Sequence, residues 1–151
     1  MVSVDETAAV TGSHQITVQM DQLLSETDFD AFDLLVLPGG MPGTLHLEDC
    51  DGLMEQLDRF YSAGKWVAAI CAAPQIFGHR GYLKGRKATS FPSMEKELDG
   101  AFVTHGAAEV DGNVITGRGM GCAIDFALKI IGCLISEEEA AAQAERIVYE
   151  R

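Results

Sequence analysis

Trp66-Val67-Ala68-Ala69-Ile70-Cys71-Ala72-Ala73-Pro74 decides the fold. Five apolar residues without alternation suit a strand covered on both faces, as in a parallel sheet. The run stops at a cysteine followed by two alanines and a proline, small residues that permit a tight turn into a helix. Upstream, Leu34-Leu35-Val36-Leu37 is a second such run, stopped by Pro38-Gly39-Gly40. Between the two, Leu53, Met54, Leu57, Phe60 and Tyr61 recur at helical spacing and Gly64 closes the helix. Strand, helix, strand is a β-α-β unit with a right-handed crossover.

Working outward, Ile16, Val18 and Met20 alternate with Gln15, Thr17 and Gln19, which predicts a half-exposed strand. Ala108-Glu109-Val110 and Asn113-Val114-Ile115-Thr116 flank Asp111-Gly112, a strong hairpin signal. Cys122 to Ile135 is apolar nearly all round, so a mostly buried helix is expected there. Asp125 and Lys129 form its polar stripe and an i,i+4 ion pair. Ser136 and Glu139 match a capping box that opens a last helix reaching about Val148. Alternating strands and helices make the class α/β, with a three-layer sandwich and a mostly parallel sheet expected over residues 1–151 as one domain.

The net charge of −12 repels phosphate backbones and argues against a nucleic-acid partner. No apolar run approaches the roughly 20 residues that span a bilayer, and the start lacks the basic and apolar regions of a signal peptide. Neither a membrane nor an exported location is expected. Cys50, Cys71, Cys122 and Cys133 show no C-x-x-C and no metal-ligand spacing, which points to a reducing cytoplasm and no metal. Gly39-Gly40-Met41-Pro42-Gly43 matches neither a P-loop nor a dinucleotide fingerprint, so no organic cofactor is expected.

In an open α/β sheet, ligands bind beyond the carboxyl ends of the strands. Two segments reach that edge with unusual residues: the glycine loop and Cys71-Ala72-Ala73-Pro74. A strand, one nucleophile and small residues opening a helix form a nucleophile elbow. A helix start favours thiolate over thiol. Gly39, without a Cβ, lets backbone approach closely, and the amides of Gly40 and Ala72 are candidates to hold a developing oxyanion. The plainer alternative is a buried, inert Cys71 beside an ordinary turn. Cys50, between Asp49 and Asp51, is expected to be exposed and less reactive. His46 and His79 read as surface residues, His105 as a turn residue, and His14 as a residue near the site.

Leu35-Val36-Leu37-Pro38-Gly39-Gly40, Ala68-Ala69-Ile70-Cys71-Ala72-Ala73-Pro74 and Thr116-Gly117-Arg118-Gly119-Met120-Gly121 resemble the three signature stretches of the ThiJ/PfpI superfamily. Asp125-Phe126-Ala127-Leu128 continues the third. The likeness is nearest the branch that holds the Parkinson's-linked protein deglycase and bacterial YajL. It implies a flavodoxin-like sandwich, a homodimer and an oxidisable elbow cysteine, with glyoxalase, deglycase or chaperone activity. Gly39, Met41, Ala73, His14 and Phe91 are the substrate-lining positions it implies.

Three departures stand out. The branch bonds a glutamate of an N-terminal helix to the cysteine, and that helix has no counterpart here. Phe91 occupies a position where one member has histidine, and His14 one where the family has arginine. Met1-Val2-Ser3-Val4 aligns with the family's second strand. The first strand and helix are therefore expected to be absent, leaving unpaired edges beside Val4 and Leu34-Leu37.

The leading expectation is a cysteine-dependent enzyme acting on small reactive carbonyls or glycated protein. The alternative is a redox sensor or holdase oxidised at Cys71 without turnover. Protease and amidotransferase readings fare worse: Ala72 stands where a protease of this superfamily has histidine, and His105 and Glu109 lack the His-x-Glu spacing.

Overall fold

The computed structural model describes residues 1–150. In chain order the strands are β1 (Val2–Ser3), β2 (Ala9–Thr11), β3 (Thr17–Gln19), β4 (Gln22–Leu23), β5 (Leu34–Leu37), β6 (Trp66–Ile70), β7 (Lys87–Ala88), β8 (Phe102–Val103), β9 (Ala108–Asp111) and β10 (Val114–Gly117). The α-helices are α1 (Gly43–Glu48), α2 (Asp51–Ser62), α3 (Pro74–His79), α4 (Ala123–Leu134) and α5 (Glu137–Arg146).

The central sheet runs β5-β6-β10-β9. β5 and β10 both lie parallel to β6, with Leu37 opposite Ala69 and Gly117 opposite Ile70. Their carboxyl ends therefore share one edge. β9 closes the sheet antiparallel to β10, and the left-handed Gly112 makes the turn between them. The hairpin and the β-α-β unit form as their residues predict.

Alternation along the strands sorts side chains into two layers. Leu37, Val67 and Ala69 face α2 and α3, where Leu57, Phe60, Ile76 and Phe77 are fully buried. Ala68 and Ile115 face Phe126 of α4 on the other side. The architecture is thus the flavodoxin-like α/β sandwich expected. α2 ends where Gly64 turns left-handed and lets the Lys65 amide donate to Phe60 O at 3.0 Å. A fully buried Leu such as Leu57 contributes about 1.5–3 kcal/mol of transfer free energy.

Four local expectations are corrected. Ile16, Val18 and Met20 do not make a half-buried strand: β3 pairs only with β2, every residue of it is exposed, and the hairpin has no core beneath it. α4 is not mostly buried. Only Asp125 and Phe126 are, because the helix packs one side on β9 and β10 while Ile124 and Leu134 stay exposed. Among the described residues no ion pair joins Asp125 to Lys129; Asp125 instead accepts from the Tyr149 hydroxyl at 3.0 Å. α5 stops at Arg146, short of Val148, although Ser136 caps it through Glu139 N at 3.1 Å. Cys50 is half-buried against the main core, because it sits at the junction of α1 and α2.

The amino-terminal side is looser. β1 pairs in parallel with β4, as a ribbon separate from the central sheet. Among the described residues no strand pairs with the second edge of β5.

Candidate functional site

Four chain segments meet beyond the carboxyl ends of the parallel strands: Pro38-Gly39-Gly40 after β5, Cys71 after β6, Ser90-Phe91 after β7, and Arg118-Gly119 after β10. Cys71 is the centre. Its φ is +67°, a left-handed conformation that costs a non-glycine residue roughly 1–2 kcal/mol. The cost is met by bonds to its own backbone. Its amide donates to Gly117 O at 2.9 Å, and its carbonyl accepts from Phe91 N at 2.8 Å. Held from β10 on one side and the Phe91 segment on the other, Cys71 is half-buried while Ala72 and Ala73 are buried.

The glycine loop presses on this turn. A Cβ on Gly39 would lie 2.5 Å from Ile70 O, 2.7 Å from Cys71 Cβ and 2.8 Å from Ala72 N, so only glycine fits. Gly40 takes φ +98°, and its carbonyl accepts from both the amide and the hydroxyl of buried Thr44, each at 2.8 Å. Among the described residues, no backbone carbonyl accepts from the amides of Gly40 or Ala72. Thr89 anchors the Phe91 segment from below: its amide donates to Thr116 Oγ1 at 3.0 Å and its hydroxyl to Gly106 O at 2.9 Å. Met41 and Phe91 remain exposed beside the turn, a pair of apolar surfaces around a thiol.

Two ionic joints tie together the elements that follow these loops. His79 of α3 bonds Glu48 of α1 at 2.6 Å and Glu97 of the short helix after Phe91 at 3.3 Å. The bond to Glu48 holds the imidazole above its usual range, against a smaller opposing effect of burial. His105, left-handed at φ +58°, bonds Glu95 at 2.8 Å, and Arg118 donates to the His105 carbonyl. Sequence reasoning took His79 for a surface residue and His105 for a turn residue, and missed Thr44, Thr89 and Glu95. Nothing local signals these joints, because Glu48 and His79 lie 31 positions apart.

Of the site residues expected from sequence, Gly39, Gly40, Met41, Cys71, Ala72, Ala73 and Phe91 belong to this cluster of loops. His14 does not: it lies on the exposed β2–β3 hairpin with its ring bonded to Ser13 at 3.1 Å. No side chain among the described residues hydrogen-bonds the Cys71 sulfur. Nor do three or more His, Cys, Asp or Glu side chains gather in metal-binding geometry among them. No helix is long and apolar enough to cross a membrane.

A left-handed cysteine at the end of a parallel strand, facing a glycine loop, defines an α/β protein of the cysteine-elbow class. The chain belongs to the DJ-1/PfpI family, whose sequence model matches residues 1–132. Protein DJ-1 homolog B of Arabidopsis thaliana is 37% identical over 142 residues, 93% of this chain and 32% of its own length. The chain thus spans about a third of that relative. A protein of Pyrococcus abyssi named as a deglycase is 40% identical over 112 residues, 72% of this chain and 66% of its own. The solved structure of oxidized Toxoplasma gondii DJ-1 superposes with a TM-score of 0.93 at 32% identity, covering 99% of this chain and 82% of that one.

Proposed function

We propose that Cys71 is the nucleophile of a glyoxalase- or deglycase-type reaction on small reactive carbonyls or early protein adducts of them. The observation that carries this reading is the left-handed Cys71 turn, beside two amides without backbone acceptors. In the first step the thiolate sulfur bonds to the carbonyl carbon and the π pair moves to oxygen. The Gly40 and Ala72 amides receive that oxyanion, which then takes a proton to give a hemithioacetal. Met41 and Phe91 flank the adduct, and Gly39 and Ala73 leave room for it. No metal or organic cofactor takes part in this reading.

Four free cysteines fit a reducing cytoplasm. The exposed apolar residues Ile16 and Val18 on the hairpin and Ile124 and Leu134 on α4 support a homodimer. In such a dimer His14 contributes to binding only where the hairpin meets the site of a second copy.

Methylglyoxal turnover by the pure chain tests the reading. Cys71→Ser is expected to abolish it while leaving the melting temperature within a few degrees. Undiminished turnover by that variant would falsify the assignment.

One observation favours a second reading. General acid–base catalysis needs a proton-transfer group at the sulfur, and no carboxylate or imidazole among the described residues bonds it. Oxidation needs none: peroxide converts the thiolate to sulfenate with release of water, and a second equivalent gives sulfinate. Peroxide-dependent protection of a client protein, without carbonyl turnover, would select this sensor or holdase reading.

A further inference from the structure

Away from the cysteine, a trough of about 360 Å³ runs between β1 and β5, lined by Val4, Leu24, Phe29, Leu35, Leu37 and Leu53 among others. That volume lies within the range of about 300–1,000 Å³ usual for ligand sites. Its wall includes the second edge of β5, the all-apolar Leu34-Leu35-Val36-Leu37, which carries none of the lysines, prolines or bulges that normally blunt an open edge. A second hollow of about 390 Å³ continues from the trough and shares Val4, Leu24 and Phe29 with it. Exposed Asp5, Glu6 and Glu55 stand on its wall, and so does Gln56, whose buried Oε1 has no hydrogen-bond partner among the described residues.

The charge of the chain is concentrated on this side. Residues 1–58 hold 12 Asp or Glu and not one Lys or Arg, while the remainder holds 11 of each sign. An apolar strand edge thus opens directly into an acidic hollow that contains an unanswered acceptor.

We propose that the trough and hollow form one docking surface for an extended, basic-flanked segment of a separate polypeptide. The segment adds as a strand along β5, through the backbone groups that β6 leaves free. Its side chains alternate. Those turned toward α2 are apolar and fill the trough against Leu35, Leu37 and Leu53. Those turned the other way lie level with Val36, which is 46% exposed, and are polar. A Lys or Arg at its end enters the hollow, pairs with Asp5, Glu6 or Glu55, and donates to Gln56 Oε1. A second copy of this edge is a poor occupant, because it would bring two acidic amino-terminal segments together.

The test uses the full chain and two fluorescein-labelled ten-residue peptides. Both have alternating Leu or Val and Thr; one carries lysines at its ends, the other glutamates. Fluorescence anisotropy is expected to show saturable binding of the lysine peptide, at least tenfold tighter than the glutamate peptide and weakened at high salt. Hydrogen exchange of residues 34–37 slows when it binds, and the rate of Cys71 alkylation does not change. Glu55→Lys, an exposed change on α2, weakens binding about fivefold. Equal binding of the two peptides would overturn the proposal, and so would absence of binding. Self-association of the chain that protects β5 and excludes the peptide would overturn it in favour of a second copy.

Discussion

The two ends of β5 and its open edge are built by opposite rules. At its carboxyl end, Gly39 and Gly40 sit against a cysteine turn in which the Cys71 amide and carbonyl and the Gly40 carbonyl are all bonded, and even a methyl group has no room. Along its second edge, the same four residues have no strand partner among the described residues and border an apolar trough. A reactive side chain held in a strained conformation needs surroundings that over-determine it. An edge that receives a partner needs the reverse. The lesson is that the cysteine site depends on the network at the strand ends, and not on how completely the sheet is paired on its far side.

Gly39→Ala is the most severe way to break this contrast. The new Cβ meets three backbone-proximal atoms at 2.5–2.8 Å, so a cost of about 3–5 kcal/mol is expected. Denaturant melts would show it, together with a loss of at least tenfold in Cys71 alkylation rate. A variant with normal stability and normal alkylation would mean that the glycine loop does not clamp the turn.

Truncations on the two sides sharpen the comparison. Leu57→Ala empties a fully buried position and is expected to cost about 2–4 kcal/mol. Val36→Ala, at the open edge, should cost less than about 1 kcal/mol. Similar costs in urea titrations would show that the edge is packed in solution.

Limiting iodoacetamide at neutral pH, read by peptide mass spectrometry, ranks the cysteines. Cys71 should label about tenfold faster than Cys133, whose thiol is held above its usual range chiefly by burial. Cys50 should also lag, since it packs against the core. Equal labelling of all four would remove any special environment at the turn.

The smallest effect concerns His79. Its folded value is raised by Glu48, so the joint contributes fully below the unfolded histidine value of about 6.5 and is lost as pH rises through the raised one. Stability should therefore decline with rising pH above about 6.5. The ring is 37% exposed, so solvent screening keeps the change to less than about 1 kcal/mol. His79→Gln should flatten that slope. An unchanged slope in the variant would locate the pH dependence elsewhere.

The parts legible in the sequence are those set by local chemistry. The runs Leu34-Leu37 and Trp66-Ile70 could pack only as covered strands. Asp111-Gly112 could make only a tight turn, and Gly39-Gly40 facing Cys71-Ala72 identified where the two loops meet. What was misread depended on neighbours. The alternation at Ile16 to Met20 looked half-buried although no core lies under that hairpin. The apolar α4 looked enclosed although only one side of it is covered, and Asp125 looked like a surface stripe although it lies beneath Tyr149.

Periodicity, glycine and a terminal cysteine act over a few residues, so the sequence alone determined the strands, the helix between them and the position of the turn. The joints through His79, Glu95 and Thr89, the left-handed φ of Cys71 and the open edge of β5 were decided by tertiary structure. Each depends on groups that lie far apart in the chain and meet only when the strands align their carboxyl ends on one edge, and no local pattern encodes such a meeting.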